Sequence, residues 1–476
     1  MKAILRCIGG FVIGTLIFGS GHAQAETLQD AVQQMLQTNP EVKSLAYNRL
    51  ARDQEIIQAR AGYLPIIDIS YGAGVEDQKH PLDDTTYPQS TILSLRQNVF
   101  RGFADQYEMK RQEARVNSAA YLLQGTSENI ALVASRVYLN VLRQLELLDL
   151  AKENLITHQR IYDQIKLRSE SGIDRKADLD QVMGRLALAE SDVILSEANV
   201  ADSRTDYQFV VGRIPADLVK PQPVDAVIPA SMDEAQQLAL ENYPILKSAE
   251  ADLQAREAQH AVAKSNYYPK LDIAVDQKWE DDVDIPGYQE ELSAVAFVRF
   301  NIFNGFSDKA RIAETSHLIS EAREVQNNTY RQIVESIRLS WVAFKSAQNR
   351  ITYLENYVKA TGATAEAFSK QWNIGRRTMF DVLDIEAELI NSKIELVNAQ
   401  YDKTYAQYRL LSGIGQLVHT LGLQWPEESK VEEDDQEKEK EEAPQEDKSA
   451  AGGENSPDKQ GISSIVDLSS GFPEVV

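Results

Sequence analysis

Asp381 and Asp384 stand three residues apart at the start of a helical stretch, a spacing that sends both carboxylates out from one face. Two chemistries suit such a pair. Within one chain the acids stabilise a helix N-terminus through its macrodipole, at ~0.3–1 kcal/mol each. Repeated around a symmetry axis, they become stacked rings of carboxylates, a negative constriction that favours cations. Catalytic constellations are missing. The single cysteine is Cys7, and the five histidines beyond residue 25 (His80, His158, His260, His317 and His419) make no H-x-x-x-H or H-x-x-E pair, so they read as surface histidines. There is no nucleophile elbow and no phosphate-binding glycine loop. The reading is of a protein with no enzymatic activity, metal site or cofactor. A formal charge of −23 with no basic cluster excludes nucleic acid as a partner, because neutralising phosphates takes clustered Lys and Arg.

The chain ends are set apart by composition. Lys2 and Arg6 precede an apolar run from Ile8 to Phe18 and then Ala23-Gln24-Ala25, the pattern of a secretory signal peptide over 1–25. Its removal takes the only thiol and moves the formal charge from −23 to −25. Residues 427–476 hold 16 acidic and 5 basic residues, read as an acidic disordered tail that cannot bury enough apolar surface to fold. After residue 25 no run approaches the ~20 apolar residues of a spanning helix. Membrane entry, if any, is through strands.

The elements that position the aspartates follow from an internal repeat. Thr27-Leu28-Gln29-Asp30-Ala31 aligns with Ser231-Met232-Asp233-Glu234-Ala235, Asn39-Pro40 with Tyr243-Pro244 and Tyr63-Leu64-Pro65 with Tyr267-Tyr268-Pro269, each pair 204 apart. Farther on, the stretch from Arg96 to Phe103 matches Arg299 to Phe306, Gly172 matches Gly375 and Gly212 matches Gly415, all at 203. The chain is thus a tandem duplication over 26–225 and 226–426. Period-2 alternation places strands at about 66–76 and 90–100 in the first copy, and at about 270–280 and 291–303 in the second. No proline falls between Pro88 and Pro215 or between Pro286 and Pro426. Long helices therefore run over about 102–168 and 305–371, with return helices at about 174–211 and 377–412. Ile130, Val133, Val137, Val141, Leu145 and Leu148 form a narrow apolar stripe suited to coiled-coil-like packing. Gly172 ends the first long helix as a glycine with positive φ, and the helix over 41–62 stacks with the return helix to balance the long one.

Four strands cannot close a barrel, and an open sheet in lipid leaves backbone groups unsatisfied. Three copies supply twelve. Tyr63, Tyr71, Phe100, Phe103, Tyr267, Tyr268, Trp279, Phe303 and Phe306 gather at strand ends, where aromatic girdles sit.

The signal, the duplicated unit, Tyr-x-Pro before each first strand, the segments Asn98 to Phe103 and Asn301 to Phe306, and the glycine turns resemble the TolC family of outer-membrane efflux and secretion ducts over about 27–425. His158 to Ile165, Ser169 to Gly172 and Ala177 to Gln181 are similar to the branch serving type I secretion, including export of large adhesins. The resemblance implies a mainly α protomer with transmembrane β, three of which form a 12-stranded β-barrel continued by a periplasmic α-helical barrel. It also implies an outer-membrane homotrimer joined to a periplasmic adaptor and an inner-membrane ABC transporter, passing an exported protein cargo. Small-molecule or metal efflux is the alternative in the same fold, and a periplasmic coiled-coil scaffold or adhesin the alternative in another class. By resemblance, Asp381-Val382-Leu383-Asp384 carries the entrance aspartates. Trp372 and Arg377 stand where the family ties the closed entrance to the neighbouring coil, with Asp178 their partner; Trp372 replaces the family's tyrosine and lacks its hydroxyl. The turns at Gly172 and Gly375 are the adaptor-facing ends.

Overall fold

The computed structural model describes residues 25–79, 84–172, 175–283, 285 and 287–431. The expected signal peptide, apart from Ala25, and the acidic tail beyond Val431 lie outside the described residues. Thr27 and Asp30 form a capping box that opens α1 (Leu28–Thr38), with Thr27 Oγ1 accepting the Asp30 N–H at 3.2 Å and Asp30 accepting the Thr27 N–H at 3.0 Å. Asn39 then caps α2 (Pro40–Arg60), where Pro40 occupies the first turn because its missing N–H would have had no partner there. The strands β1 (Ile66–Ala73) and β4 (Gln89–Phe100) enclose a short hairpin, β2 (Glu76–Gln78) with β3 (Asp84–Thr86). The helices α3 (Ala104–Glu170) and α4 (Lys176–Val211) complete the first copy. The second runs α5 (Met232–Asn242), α6 (Pro244–Lys264), β5 (Lys270–Asp281), β6 (Tyr288–Arg299), α7 (Ser307–Asn373) and α8 (Met379–Ile414), and α9 (Leu417–Thr420) follows it.

Both long helices have 67 residues and both return helices 36, and all their ends are related by the 203-residue offset read from the sequence. At ~1.5 Å per residue, α3 is about 100 Å long. It begins two residues later than the proline-free gap suggests, because Gly102 (φ 64°) and Phe103 (φ 67°) both take left-handed backbone to turn the chain out of β4. A methyl on Gly102 would sit 2.5 Å from the Ser265 carbonyl oxygen, so this corner admits only glycine.

α3 packs along α2, α4, α6 and α8, and α7 along α5, α6 and α8. Of the expected stripe, Ile130, Val137, Val141 and Leu148 are buried, and Val133 and Leu145 pack against the same core as half-buried residues. Ile333, Ile337 and Phe344 do the corresponding work on α7. Fully burying one such side chain is worth ~1.5–3 kcal/mol. Midway along the helices, two buried carboxylates fasten the segments near the two ends of the described region. Glu26 accepts hydrogen bonds from the Tyr207 hydroxyl, the Arg213 guanidinium (2.8 Å) and the Ala216 N–H (3.0 Å). Glu128 accepts from the N–H groups of Leu417 (2.9 Å) and Val418 (3.3 Å) and from the Trp425 indole (2.9 Å).

The sheet has the order β1-β4-β5-β6 and is antiparallel throughout. β4 reaches Phe100 through a bulge between Asn98 and Phe100, whereas β6 stops at Arg299, four residues short of the alternation expected from sequence. The physical reason is pairing. β5 lies alongside the end of β4, while residues 300–303 extend past the first residue of β5 and have no neighbouring strand among the described residues.

Candidate functional site

The two helix-to-helix turns build the end of the molecule that carries the aspartates. Gly172 and Gly375 both have φ 74°, with open space where a side chain would project. They terminate α3 and α7 in the left-handed conformation that glycine adopts without a steric penalty. Beneath the turns, Ile161, Ile165, Val182, Trp372, Met379, Val382 and Leu383 make a small hydrophobic cluster of their own. Trp372 is an interior member, buried, with the Arg168 guanidinium 5.2 Å from its ring centroid.

Asp381 occupies the N3 position of α8. Its carboxylate accepts the Thr378 hydroxyl at 2.7 Å and the Thr378 N–H at 3.0 Å, and Thr378 Oγ1 accepts the Asp381 N–H at 3.3 Å. Arg377 adds an ion pair at 3.5 Å. Hydrogen bonds from Thr378, and then the charge of Arg377, hold the Asp381 carboxyl below its usual range, so it stays ionised in mildly acidic water. Asp384, one turn on, is exposed, with the Arg185 guanidinium of α4 at 3.4 Å. In one chain, therefore, Asp381 performs the helix-start role, and Asp384 is the more open carboxylate.

Arg377 lies over the Phe368 ring at 4.1 Å and donates to Gln371 Oε1 at 3.2 Å. Asp178 sits at the same N3 position of α4 and accepts the Arg175 N–H at 3.4 Å. The structure does not bring Asp178 to Trp372 or Arg377 within the chain: no hydrogen bond or ion pair joins them among the described residues. Each acid is occupied by its own helix start, and the indole is turned into the cluster.

The four-stranded sheet is the second functional surface, and its register gathers most apolar side chains on one face and most charges on the other, with Gln277 and Glu290 on the first and Ile92 and Phe297 on the second as exceptions. Ile67, Ile69 and Tyr71 share a face with Leu93 and Leu95, with Ile273, Val275 and Trp279, and with Leu292, Ala294 and Val298. The other face carries Asp68, Ser70, Ser94, Arg96, Asp272, Asp276, Lys278, Glu291 and Arg299. Arg96–Asp276 (2.7 Å) and Arg299–Asp272 (2.6 Å) are cross-strand ion pairs on that polar face. The apolar face is bare, with Ile69 75% and Val298 72% exposed. Such a distribution suits a sheet with lipid on one side and water on the other. At its helical end Phe103 meets Phe100 and Tyr268 edge to face, and Phe303 meets Phe306 in the same way.

The family model described as outer membrane efflux protein matches residues 31–213 and again 235–416, one match for each copy. The chain belongs to the outer membrane efflux protein family. Outer membrane efflux protein BepC of Brucella suis is 22% identical over 89% of this chain and 93% of its own length. Outer membrane protein TolC of Escherichia coli is 23% identical over 88% and 87%. The proteases secretion protein PrtF of Dickeya chrysanthemi is 22% identical over 88% and 92%. Among solved structures, CusC, described for its folding and transmembrane channel formation, superposes with a TM-score of 0.73 at 15% identity, covering 81% of this chain and 91% of that one. The likeness to TolC read from the sequence is thus shown at the level of family and protomer fold.

Several residues of this efflux-family protomer escape a sequence reading. Glu26 and Glu128 look like ordinary surface acids. His158, expected at the surface, is buried on the α3 face shared with Ile161 and Ile165, and burial, then the charge of Arg185, depresses its pKa. Its i, i+3 relation to Ile161 was the one available signal.

Proposed function

We propose that this chain is the protomer of a trimeric outer-membrane exit duct serving type I protein secretion. The observation that carries the reading is the sheet: one lipid-suited face, one charged face and two open edges. A lone four-stranded sheet cannot satisfy its edges in hydrocarbon, whereas three copies give a closed twelve-stranded barrel with the charged face inward. The long helices continue it as a periplasmic tube, and Leu339, Val342 and Tyr353, exposed on α7, offer apolar surface to neighbouring copies. Threefold symmetry then sets Asp381 and Asp384 in two carboxylate rings at the entrance, beside Arg377, Trp372 and Asp178. The turns at Gly172 and Gly375 face a periplasmic adaptor. Among the described residues no constellation drives chemistry; an inner-membrane ABC transporter supplies the energy and the duct conducts its protein cargo passively.

Secretion is favoured by the type I-like stretch from His158 to Gln181 and by the similarity to PrtF. The similarity to BepC, named for efflux, supports the second reading, a drug or metal efflux duct. Comparing the secretome of a deletion strain with that of its parent tests the choice. Loss of one large secreted protein supports secretion; unchanged secretion with new drug or metal sensitivity overturns it in favour of efflux. A soluble monomeric periplasmic protein would instead support a scaffold without a pore.

A further inference from the structure

The two edges of the sheet are β1 and β6, and the repeat carries the information needed to join them. Each pair of the β1–β4 ladder, from Ile66↔Arg96 to Ala73↔Gln89, becomes an observed pair of the β5–β6 ladder, from Lys270↔Arg299 to Gln277↔Leu292, when 204 is added to the β1 number and 203 to the β4 number. The duplication therefore preserves strand register to the residue. The remaining ladder, β4–β5, joins the first copy of the repeat to the second. A contact between β6 of one chain and β1 of another would join a second copy to a first, and the same offsets convert one junction into the other.

We infer that β6 pairs with β1 of a neighbouring copy of this chain in one register, with Val298 opposite Tyr71, Arg299 opposite Ser70, Phe300 opposite Ile69 and Asn301 opposite Asp68. These are the translations of Leu95↔Val275, Arg96↔Ala274, Gln97↔Ile273 and Asn98↔Asp272. Ile302 falls at the bulge position of Val99, and Phe303, the equivalent of Phe100, falls opposite Ile67.

Two further observations fit this register. First, it keeps the faces in step: Val298 and Phe300 join Tyr71 and Ile69 on the apolar side, and Arg299 and Asn301 join Ser70 and Asp68 on the polar side. A slip of one residue would set Val298 and Phe300 against Gly72, Ser70 or Asp68, and Arg299 and Asn301 against the apolar residues of β1. Second, it accounts for the early end of β6. Residues 300–303 repeat the positions of Gln97–Phe100, which are strand in β4 because β5 lies beside them. In the single chain, Ile302 is 89% and Phe303 69% exposed, and the Phe303 N–H bonds locally to Asn301 Oδ1 at 3.1 Å. The inference assigns these residues a partner strand, so 300–303 completes β6 only when a second copy supplies β1.

The inference rests on the trimeric barrel proposed above, and the experiment separates the two. Because Cys7 is the only cysteine and lies in the expected signal, engineered cysteines are the sole thiols of the mature chain. Full-length protein carrying Val298→Cys with Tyr71→Cys, or Arg299→Cys with Ser70→Cys, is oxidised in membranes and run on non-reducing gels. Consecutive opposed pairs alternate between wide and close spacing, so at least one of the two has the close geometry. That pair is expected to give a covalent trimer. The slipped pairs Val298→Cys with Ile69→Cys and Val298→Cys with Ala73→Cys, displaced by two residues on one face, should yield about tenfold less. A slipped pair that cross-links as well as the matched ones overturns the register. So does the absence of any disulfide in variants that lysine-reactive cross-linking shows to be trimers, whereas a monomer in that control overturns the barrel itself. Hydrogen exchange on wild-type protein serves where variants fail to assemble: amides of 300–303 protected in the oligomer like those of 97–100 support the pairing, and free exchange refutes it.

Discussion

Glu128 offers a perturbation whose size can be worked out from the structure. Its carboxylate receives three donors, the buried Leu417 and Val418 N–H groups and the half-buried Trp425 indole, and thereby fastens α9 and the segment after it to the middle of α3. Glu128→Ala leaves those donors without an acceptor. At ~1–3 kcal/mol for each buried group left unsatisfied, and with partial rehydration, the local cost is ~3–6 kcal/mol. That corresponds to roughly 10²–10⁴ in the equilibrium for local opening. Hydrogen exchange of peptides spanning residues 415–425 reads this directly, with each variant compared with wild type at one pH so that intrinsic rates cancel. Burial pushes the Glu128 carboxyl up from 4.5 to about 7, outweighing the three donors that favour its charged form. The native state therefore holds a proton that the unfolded segment has released, and stability falls as pH rises through this interval, by about 3 kcal/mol in all. Wild-type protein should protect 415–425 more strongly at pH 5 than at pH 8, and Glu128→Gln, which cannot ionise, should lose that dependence. If Glu128→Ala exchanges within about threefold of wild type, less than ~1 kcal/mol, the carboxylate does not fasten this segment and the reasoning fails.

Other consequences are as specific. Asp381→Ala with Asp384→Ala should abolish cation preference and divalent block in planar bilayers; unchanged selectivity would reduce both residues to helix-start roles. Gly375→Ala meets open space at φ 74° and should cost ~1–2 kcal/mol, whereas Gly102→Ala also drives a methyl to 2.5 Å from the Ser265 carbonyl oxygen and should cost clearly more, read as lower thermal stability of the oligomer. Trp372→Ala should cost ~3–5 kcal/mol through the cavity it leaves under the entrance turns, raising hydrogen exchange across residues 371–378. Equal exchange in variant and wild type would mean the cluster does not hold that end.

The helices were legible because their signals are local. Proline-free gaps, the Ile130-to-Leu148 stripe and the paired glycines fix helix extent within a few residues whatever surrounds them. The end of β6 was not, because a strand stops where its neighbour stops, and residues 300–303 alternate as well as any others. His158 was misplaced, and the burial of Trp372 was not legible, for a related reason: which face of a long helix is covered depends on how α3, α4, α7 and α8 cross, a property of packing rather than of composition. Glu26 and Glu128 are acids on polar-rich stretches whose donors arrive from residues more than 180 positions away. Even the two readings of the aspartates proved compatible, since Asp381 caps α8 in each chain and symmetry alone decides whether it is also part of a ring.

Reconstitution of the purified full-length oligomer into a planar lipid bilayer tests the central claim most directly. The account predicts discrete conductance steps with a preference for cations. Oligomer that inserts into the bilayer yet passes no current, or that stays outside the lipid altogether, would contradict a duct built from three of these sheets.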